Sequence, residues 1–216
     1  MIGERSFIKV VFMDNYVGSY IDLGFVFFSK KQKSNIFSCI MYFLKKFKSK
    51  EYHIYLYRRA DDDSKEYIVD SISEQEIEKW LSKDRFVVKF ETVYNQKKLF
   101  LIFSNAMIEQ YVAFQIDFHE ESLYNCIGKK ESLIFFETLM KDVYVISPFC
   151  YAFCDNNATT EFTLRELKDH GYKSYSLIAF PQRKSRIKFM RQLWELDGQT
   201  MRSRELVGEY VIKLSI

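Results

Sequence analysis

Within the stretch QIDFHEES, residues 115–122, Asp117, His119, Glu120 and Glu121 fall inside five positions. A carboxylate beside an imidazole can ligate a metal or poise a general base, because the nearby negative charge raises the histidine's pKa. The same residues can equally be the wet face of a strand, which needs no chemistry at all. Strand alternation bears on the choice. If 110–119 is extended, Val112, Phe114, Ile116 and Phe118 form one apolar face, and Tyr111, Ala113, Gln115, Asp117 and His119 form the other. Asp117 and His119 are then neighbours about 6–7 Å apart on the polar face. Glu120 and Glu121 fall where the strand gives way to a loop. No second cluster rich in His or Cys completes a ligand set. The sequence therefore points to no catalytic residue and no metal site, and Asp117, His119, Glu120 and Glu121 are expected to contact a partner.

The remaining candidates lead the same way. Cys150 and Cys154 are spaced C-x3-C, whereas a zinc site wants CxxC knuckles in pairs. In an extended segment Cys150, Ala152 and Cys154 share one face, as small apolar residues of a half-buried strand do. His53 sits in a strand pattern, and His170 falls at a helix end where the dipole is reason enough for it. The triple aspartate at Asp61, Asp62 and Asp63 resembles a calcium loop, but its sixth and twelfth positions are Glu66 and Ile72 instead of Gly and Glu. A solvated turn is the expectation. The basic run Arg183, Lys184, Arg186, Lys188 and Arg191, with Arg202 and Arg204 behind it, is the nucleic-acid candidate, since phosphate contacts need clustered cations. Phe189 and Trp194 could stack on unpaired bases, yet they do not alternate with the cations on one helix face.

Composition narrows the classes further. With only 7 glycines and neither GxGxxG nor GxxxxGK[ST], the chain lacks the loops that let backbone approach a phosphate, so nucleotide-binding enzymes are disfavoured and no cofactor is expected. No GxSxG elbow marks a hydrolase. The start, MIGERSFIKVVF, is charged where a signal peptide would be apolar, and no run approaches the ~18 apolar residues of a membrane span. A cytoplasmic protein with free thiols is the expectation. Net charge is +3, distributed as +7 over residues 1–60, −9 over 61–170 and +5 over 171–216. Such segregation presents fields to partners or pairs internally.

The elements that would position these residues follow from periodicity. SFIKVVF and YIDLGFVFFS read as strands. Ser34 opens a helix burying Phe37, Ile40, Met41, Leu44 and Phe47, and Ser73 with Glu76 forms a capping box for one that buries Ile77, Trp80 and Leu81. Three strands then form a meander near 85–118, with a two-residue turn at Asn95 and Gln96. KKESLIFFETLMK reads as a helix, DVYVISPFCYAFCD as a strand bent at Pro148, and Thr163 with Glu166 as a second capping box for a helix closed by Gly171. YKSYSLIAF and GEYVIKLSI are late strands, and PQRKSRIKFMRQLWELDG is expected to be helical, with Ile187, Met190, Leu193 and Trp194 on one stripe. The fold class is α+β: a mainly antiparallel sheet with three to five helices packed on it, in a single domain over 1–216 whose one candidate subdivision lies near 83/84.

Three functions remain: a protein-binding module, a nucleic-acid-binding protein using the basic 183–204 segment, and an enzyme of unmarked family. Few glycines, no ligand cluster and opposed charge favour the first. The order of a strand, KKESLIFFETLMKD and then ISPFCYAFCDNN, over about residues 97–160, resembles the immunity proteins of bacterial polymorphic toxin systems. That resemblance implies a protein that occludes a cognate toxin by surface complementarity, its acidic middle suiting a basic toxin such as a nuclease. The expected partner is thus another protein, with no membrane contact, and nucleic acid is the alternative. Oligomeric state is not readable from the sequence.

Overall fold

The computed structural model describes residues 18–28, 33–58, 61–82, 85–108, 110–156, 158, 163–170, 175–182, 186–192 and 206–214. The first expected strand, SFIKVVF, lies outside them. Ten strands and five helices occur among the described residues, in the order β1 (Tyr20–Phe28), α1 (Lys33–Lys46), β2 (Tyr52–Arg58), β3 (Asp61–Val69), α2 (Glu74–Leu81), β4 (Arg85–Tyr94), β5 (Lys97–Ile108), β6 (Tyr111–His119), α3 (Glu120–Ile127), α4 (Ser132–Ile146), β7 (Tyr151–Asn156), α5 (Leu164–His170), β8 (Leu177–Gln182), β9 (Arg186–Gln192) and β10 (Leu206–Lys213). The strands form one open sheet, ordered β10-β9-β8-β7-β1-β6-β5-β4-β2-β3, and every pairing is antiparallel. The α+β class and the 85–118 meander are as expected. The point 83/84 lies outside the described residues, but β4 after it pairs with β2 before it, so the sheet runs across that point.

The core follows from strand alternation. Phe114, Ile116 and Phe118 of β6 are fully buried with Leu23 and Phe25 of β1, against Ile40 and Phe43 of α1 and Phe136 and Met140 of α4. Ring pairs tie the layers: Phe25 to Phe43 at 5.7 Å, Phe118 to Phe136 at 5.3 Å and Trp80 of α2 to Phe86 at 5.6 Å. Each such ring contributes roughly 1.5–3 kcal/mol through burial. The opposite face has its own smaller cluster, in which Leu167 of α5 packs with Tyr111, Tyr151, Phe153 and Ile178. Gly24 is required there. A Cβ on Gly24 would sit 2.1 Å from the Phe153 ring, which lies across the strand and stacks on Tyr175 at 4.1 Å.

Four local expectations are corrected. DVYVI is helical, because Phe136, Met140 and Val143 prolong one apolar stripe and α4 runs on to Ile146, just before Pro148 can stop it. The β-branched residues there are overridden by packing. The Asp61–Asp63 run opens β3 instead of making a turn; charge on an edge strand discourages pairing with another chain. Residues 186–192 are a strand, β9, in which Ile187 and Phe189 alternate inward; Leu193 and Trp194 lie outside the described residues. A helical reading of that segment fails because two residues two apart, not three or four apart, carry the burial. Finally, β7 is buried on both faces, not half-buried: Ala152 and Cys154 meet the helices while Tyr151 and Phe153 meet the second cluster.

Other signals hold. Ser73 accepts from the Glu76 amide at 3.2 Å, while the Glu76 carboxylate takes the Tyr67 hydroxyl at 2.7 Å instead of closing the box. Thr163 and Glu166 close theirs fully: the Thr163 amide donates to Glu166 Oε2 at 2.8 Å and the Glu166 amide donates back to Thr163 Oγ1 at 3.2 Å. Gly171 lies outside the described residues. The β4–β5 hairpin turns on Asn95 and Gln96, at φ 49° and 63°. Both residues are left-handed, as a two-residue type I′ loop demands, and Gln96 bears a Cβ penalty that glycine would not. Gln96→Gly is therefore expected to raise the unfolding free energy by roughly 0.5–1 kcal/mol. A urea midpoint that stays still or drops would refute this account of the turn.

Candidate partner-binding surface

The β6–α3 junction is built from alternation followed by an abrupt change of period. β6 delivers Asp117 and His119 to the face opposite α1 and α4, as the alternation predicts. The loop expected at Glu120 is instead the first turn of α3, a correction with a clear cause. The His119 backbone is extended, at φ −60° and ψ 119°, and its Nδ1 accepts from the Ser122 amide at 3.4 Å, so the imidazole is the helix N-cap. Glu120 and Glu121 then occupy the first turn, where carboxylates favour the positive end of the helix dipole. Because Nδ1 acts as acceptor, the ring is held in one orientation. Tyr20 meets it edge-on at 5.6 Å, and a Cβ at Gly18 would come within 2.6 Å of Nε2. Ser19 secures the other side: its hydroxyl donates to Glu120 Oε2 and its carbonyl accepts from the Glu120 amide at 3.0 Å.

The result is a hollow of about 360 Å³ lined by Gly18, Ser19, His119, Glu120, Glu121 and Tyr124. Glu121 is exposed; His119 and Glu120 are half-buried. Three of the four residues proposed from sequence thus surround one concavity.

Asp117, the fourth, shares the sheet face of His119 but does not line the hollow. Strand register sets it directly beside Asp22 of β1, and Asp22 in turn beside Asp155 of β7. Three carboxylates therefore cross neighbouring strands in one row. Asp155 is satisfied by the Ser176 hydroxyl at 2.6 Å and by the amides of Asn156 and Ser176. Asp117 accepts from Gln115 Nε2 at 2.8 Å. Asp22 is only 3% exposed. Burial, then the charge of Asp117 and a hydrogen bond to it, hold the Asp22 carboxyl well above the usual carboxylate range. Burial also lifts Asp117, to about 6, against the opposing hydrogen bonds from Gln115 and Asp22 and the charge of Arg85. Asp22 and Asp155 carry no sequence signal for this row, because only strand pairing brings them beside Asp117.

The basic run does not form one stripe. Arg183, Lys184, Arg202 and Arg204 lie outside the described residues. In β9, Arg186 and Lys188 project to one face, Lys188 pairing with Glu209 at 2.5 Å, while Arg191 shares the opposite face with buried Ile187 and Phe189. Arg191 is half-buried on the helix side near Glu137, which also accepts from the Tyr210 hydroxyl. His53 pairs with Glu51 at 2.8 Å. Cys154 is fully buried, which pushes its thiol pKa well up, and Cys150 is half-buried. No helix among the described residues is long and apolar enough to cross a membrane.

An α+β protein built on one open antiparallel sheet, ten strands wide among the described residues, is what these features define. The chain belongs to the immunity protein 64 family, whose family model matches residues 86–202, more than half of its length. The match begins in β4 and spans the hairpin, the β6–α3 junction and β9. No curated protein and no solved structure matches the chain.

Proposed function

We propose that this protein neutralises a cognate toxin by binding it and covering the surface the toxin works with, catalysing no reaction itself. Membership of the immunity protein 64 family is the observation that carries the reading. The −9 charge of residues 61–170 supports a basic toxin as the partner, a nuclease being the chemistry that fits, since complementary fields speed encounter and fix specificity. The contact would centre on the hollow at the start of α3, with Glu120 and Glu121 receiving cationic side chains, His119 supporting them and Asp117 contributing to the field behind. His119 is assigned to positioning in this reading, because its ring nitrogen is already engaged by the Ser122 amide.

The direct test is co-expression with candidate toxin domains drawn from the genes that neighbour the one for this protein. Survival of the cells and a stoichiometric complex on gel filtration are expected; cells that die as fast as unprotected ones would sink the proposal. A Glu120→Lys/Glu121→Lys variant should weaken the complex by about tenfold, mostly through a slower association rate and with a flatter salt dependence. Unchanged association kinetics in surface plasmon resonance would move the contact away from α3.

A further inference from the structure

The second surface feature is a groove of about 900 Å³ on the β2–β4–β5 side, bounded by the α1–β2 connection. Its origin is a difference in strand length. β2 begins at Tyr52, opposite Phe90, whereas β4 continues to Tyr94, so the last residues of β4 have no β2 partner. Tyr94 and Lys97 flank the two-residue turn and therefore bond to each other, which sends the amide and carbonyl of Val93 the other way, toward the missing length of β2. The Glu91 carbonyl, two residues back and so pointing the same way, accepts from Ser49 Oγ at 2.6 Å. Val93 itself is 71% exposed. Among the described residues nothing bonds to its backbone on that side.

The walls of this notch carry more cations than carboxylates, and both carboxylates are already paired, Glu51 with His53 at 2.8 Å and Glu91 with Lys98. Lys48 and Lys50 are exposed and make no ion pair among the described residues. Lys98 reaches in from β5, bonded to Glu91 at 2.9 Å. Lys89 lies on the floor over the Tyr55 ring at 4.8 Å, next to Phe100. An open strand edge, a part-apolar floor and two unneutralised lysines together specify an occupant. The aromatic rings are covered: Phe100 is 8% exposed and Tyr55 is capped by Lys89, so a stack of nucleic-acid bases finds no platform here. An extended peptide needs none, because its main chain supplies the affinity and alternate side chains the specificity.

We infer that this groove docks an extended acidic segment of a partner protein, its backbone pairing with Val93 and its carboxylates meeting Lys48 and Lys50. The inference rests on the reading of the protein as a binding module, but it concerns a different surface from the α3 hollow. A partner gripping both would be held by opposite charges at two places, which discriminates against proteins carrying only one field.

The test uses the full chain and a fluorescein-labelled peptide alternating glutamate and valine, about ten residues long, the length of a strand. Fluorescence anisotropy should show binding that weakens with added salt, falls by about tenfold in Lys48→Glu/Lys50→Glu, and is absent for a lysine–valine peptide. In a heteronuclear NMR titration the Val93 amide should shift downfield. Val93→Pro, which removes the donor at an edge where proline is tolerated, should weaken binding with the charges intact. Failure of the acidic peptide to bind, equal binding of both peptides, an unaffected double lysine variant or an unmoved Val93 amide would each overturn the inference. So would an oligouridine that binds more tightly than the peptide and is lost in the lysine variant, which would give the groove to nucleic acid. Neutralisation of the toxin is scored separately, so losing the groove and losing the proposed function are distinct results.

Discussion

Phe43→Ala is expected to lower the unfolding free energy by about 3–5 kcal/mol, a large part of the 5–15 kcal/mol that holds a domain folded. Phe43 is fully buried on α1, and its ring meets Phe25 of β1 at 5.7 Å, Phe114 of β6 at 6.0 Å and Phe103 of β5 at 6.2 Å. It therefore bridges three neighbouring strands and the helix that covers them. Truncation removes the transfer free energy of a benzyl group and leaves a cavity walled by other aromatic rings, which cannot collapse without breaking their own edge contacts. Phe43→Leu, which refills most of the space, should cost less than half as much. Ile134→Ala, at a position 65% exposed on the outer side of α4, should change stability by under ~0.5 kcal/mol. Guanidinium unfolding of the three variants checks the order, and a loss below ~1 kcal/mol in Phe43→Ala would show that α1 is not docked as described.

The second large effect depends on pH. Asp22 and Asp117 both have folded-state pKa values above the ordinary carboxylate value, chiefly because burial disfavours their charge. The folded protein therefore holds protons that the unfolded chain has released, so stability falls as pH rises from about 4 through about 6 and beyond. Removing the titrating acid while keeping its shape should cancel the loss. Asp22→Asn is expected to stabilise the protein at pH 8 and to change it little at pH 4, because the variant has no carboxylate that must ionise inside the buried row. The amide can still donate to Asp117, as the protonated acid does, and can still accept from the Ala158 backbone. Asp155, held by three donors, remains in place as the other charge of the row. Urea midpoints measured across this range decide the matter. A variant penalised equally at both ends would mean that Asp22 acts through packing, not through its proton.

The same row shows where sequence reading stopped. Alternation over residues 110–119 correctly put Phe114, Ile116 and Phe118 inside and Asp117 and His119 on the other face, because strand period is a local property of the chain. It treated that other face as open to water. The face is partly closed by a second cluster and by two acids from β1 and β7, which no local pattern announces. His119 escaped notice as a helix cap because its type is unusual in that role, and the helix it starts, at Glu120, follows the strand with no intervening turn residue. At 186–192 a basic, mixed segment satisfied a helical stripe on paper, while the free edge of β8 offered its backbone a ladder of hydrogen bonds, and the ladder prevailed.

What the sequence by itself determined was the α+β class, the meander from β4 to β6 and two capped helices. Each of these rests on neighbours within one or two turns of chain, where side-chain period and capping chemistry act directly. Tertiary structure alone decided that Asp22, Asp117 and Asp155 share a row, that Arg191 leaves its basic neighbours, and that Val93 faces an unfilled notch. Those outcomes depend on which strands become neighbours and where each one stops. They are set by the pairing of segments far apart in the chain, and no spacing between adjacent residues encodes that.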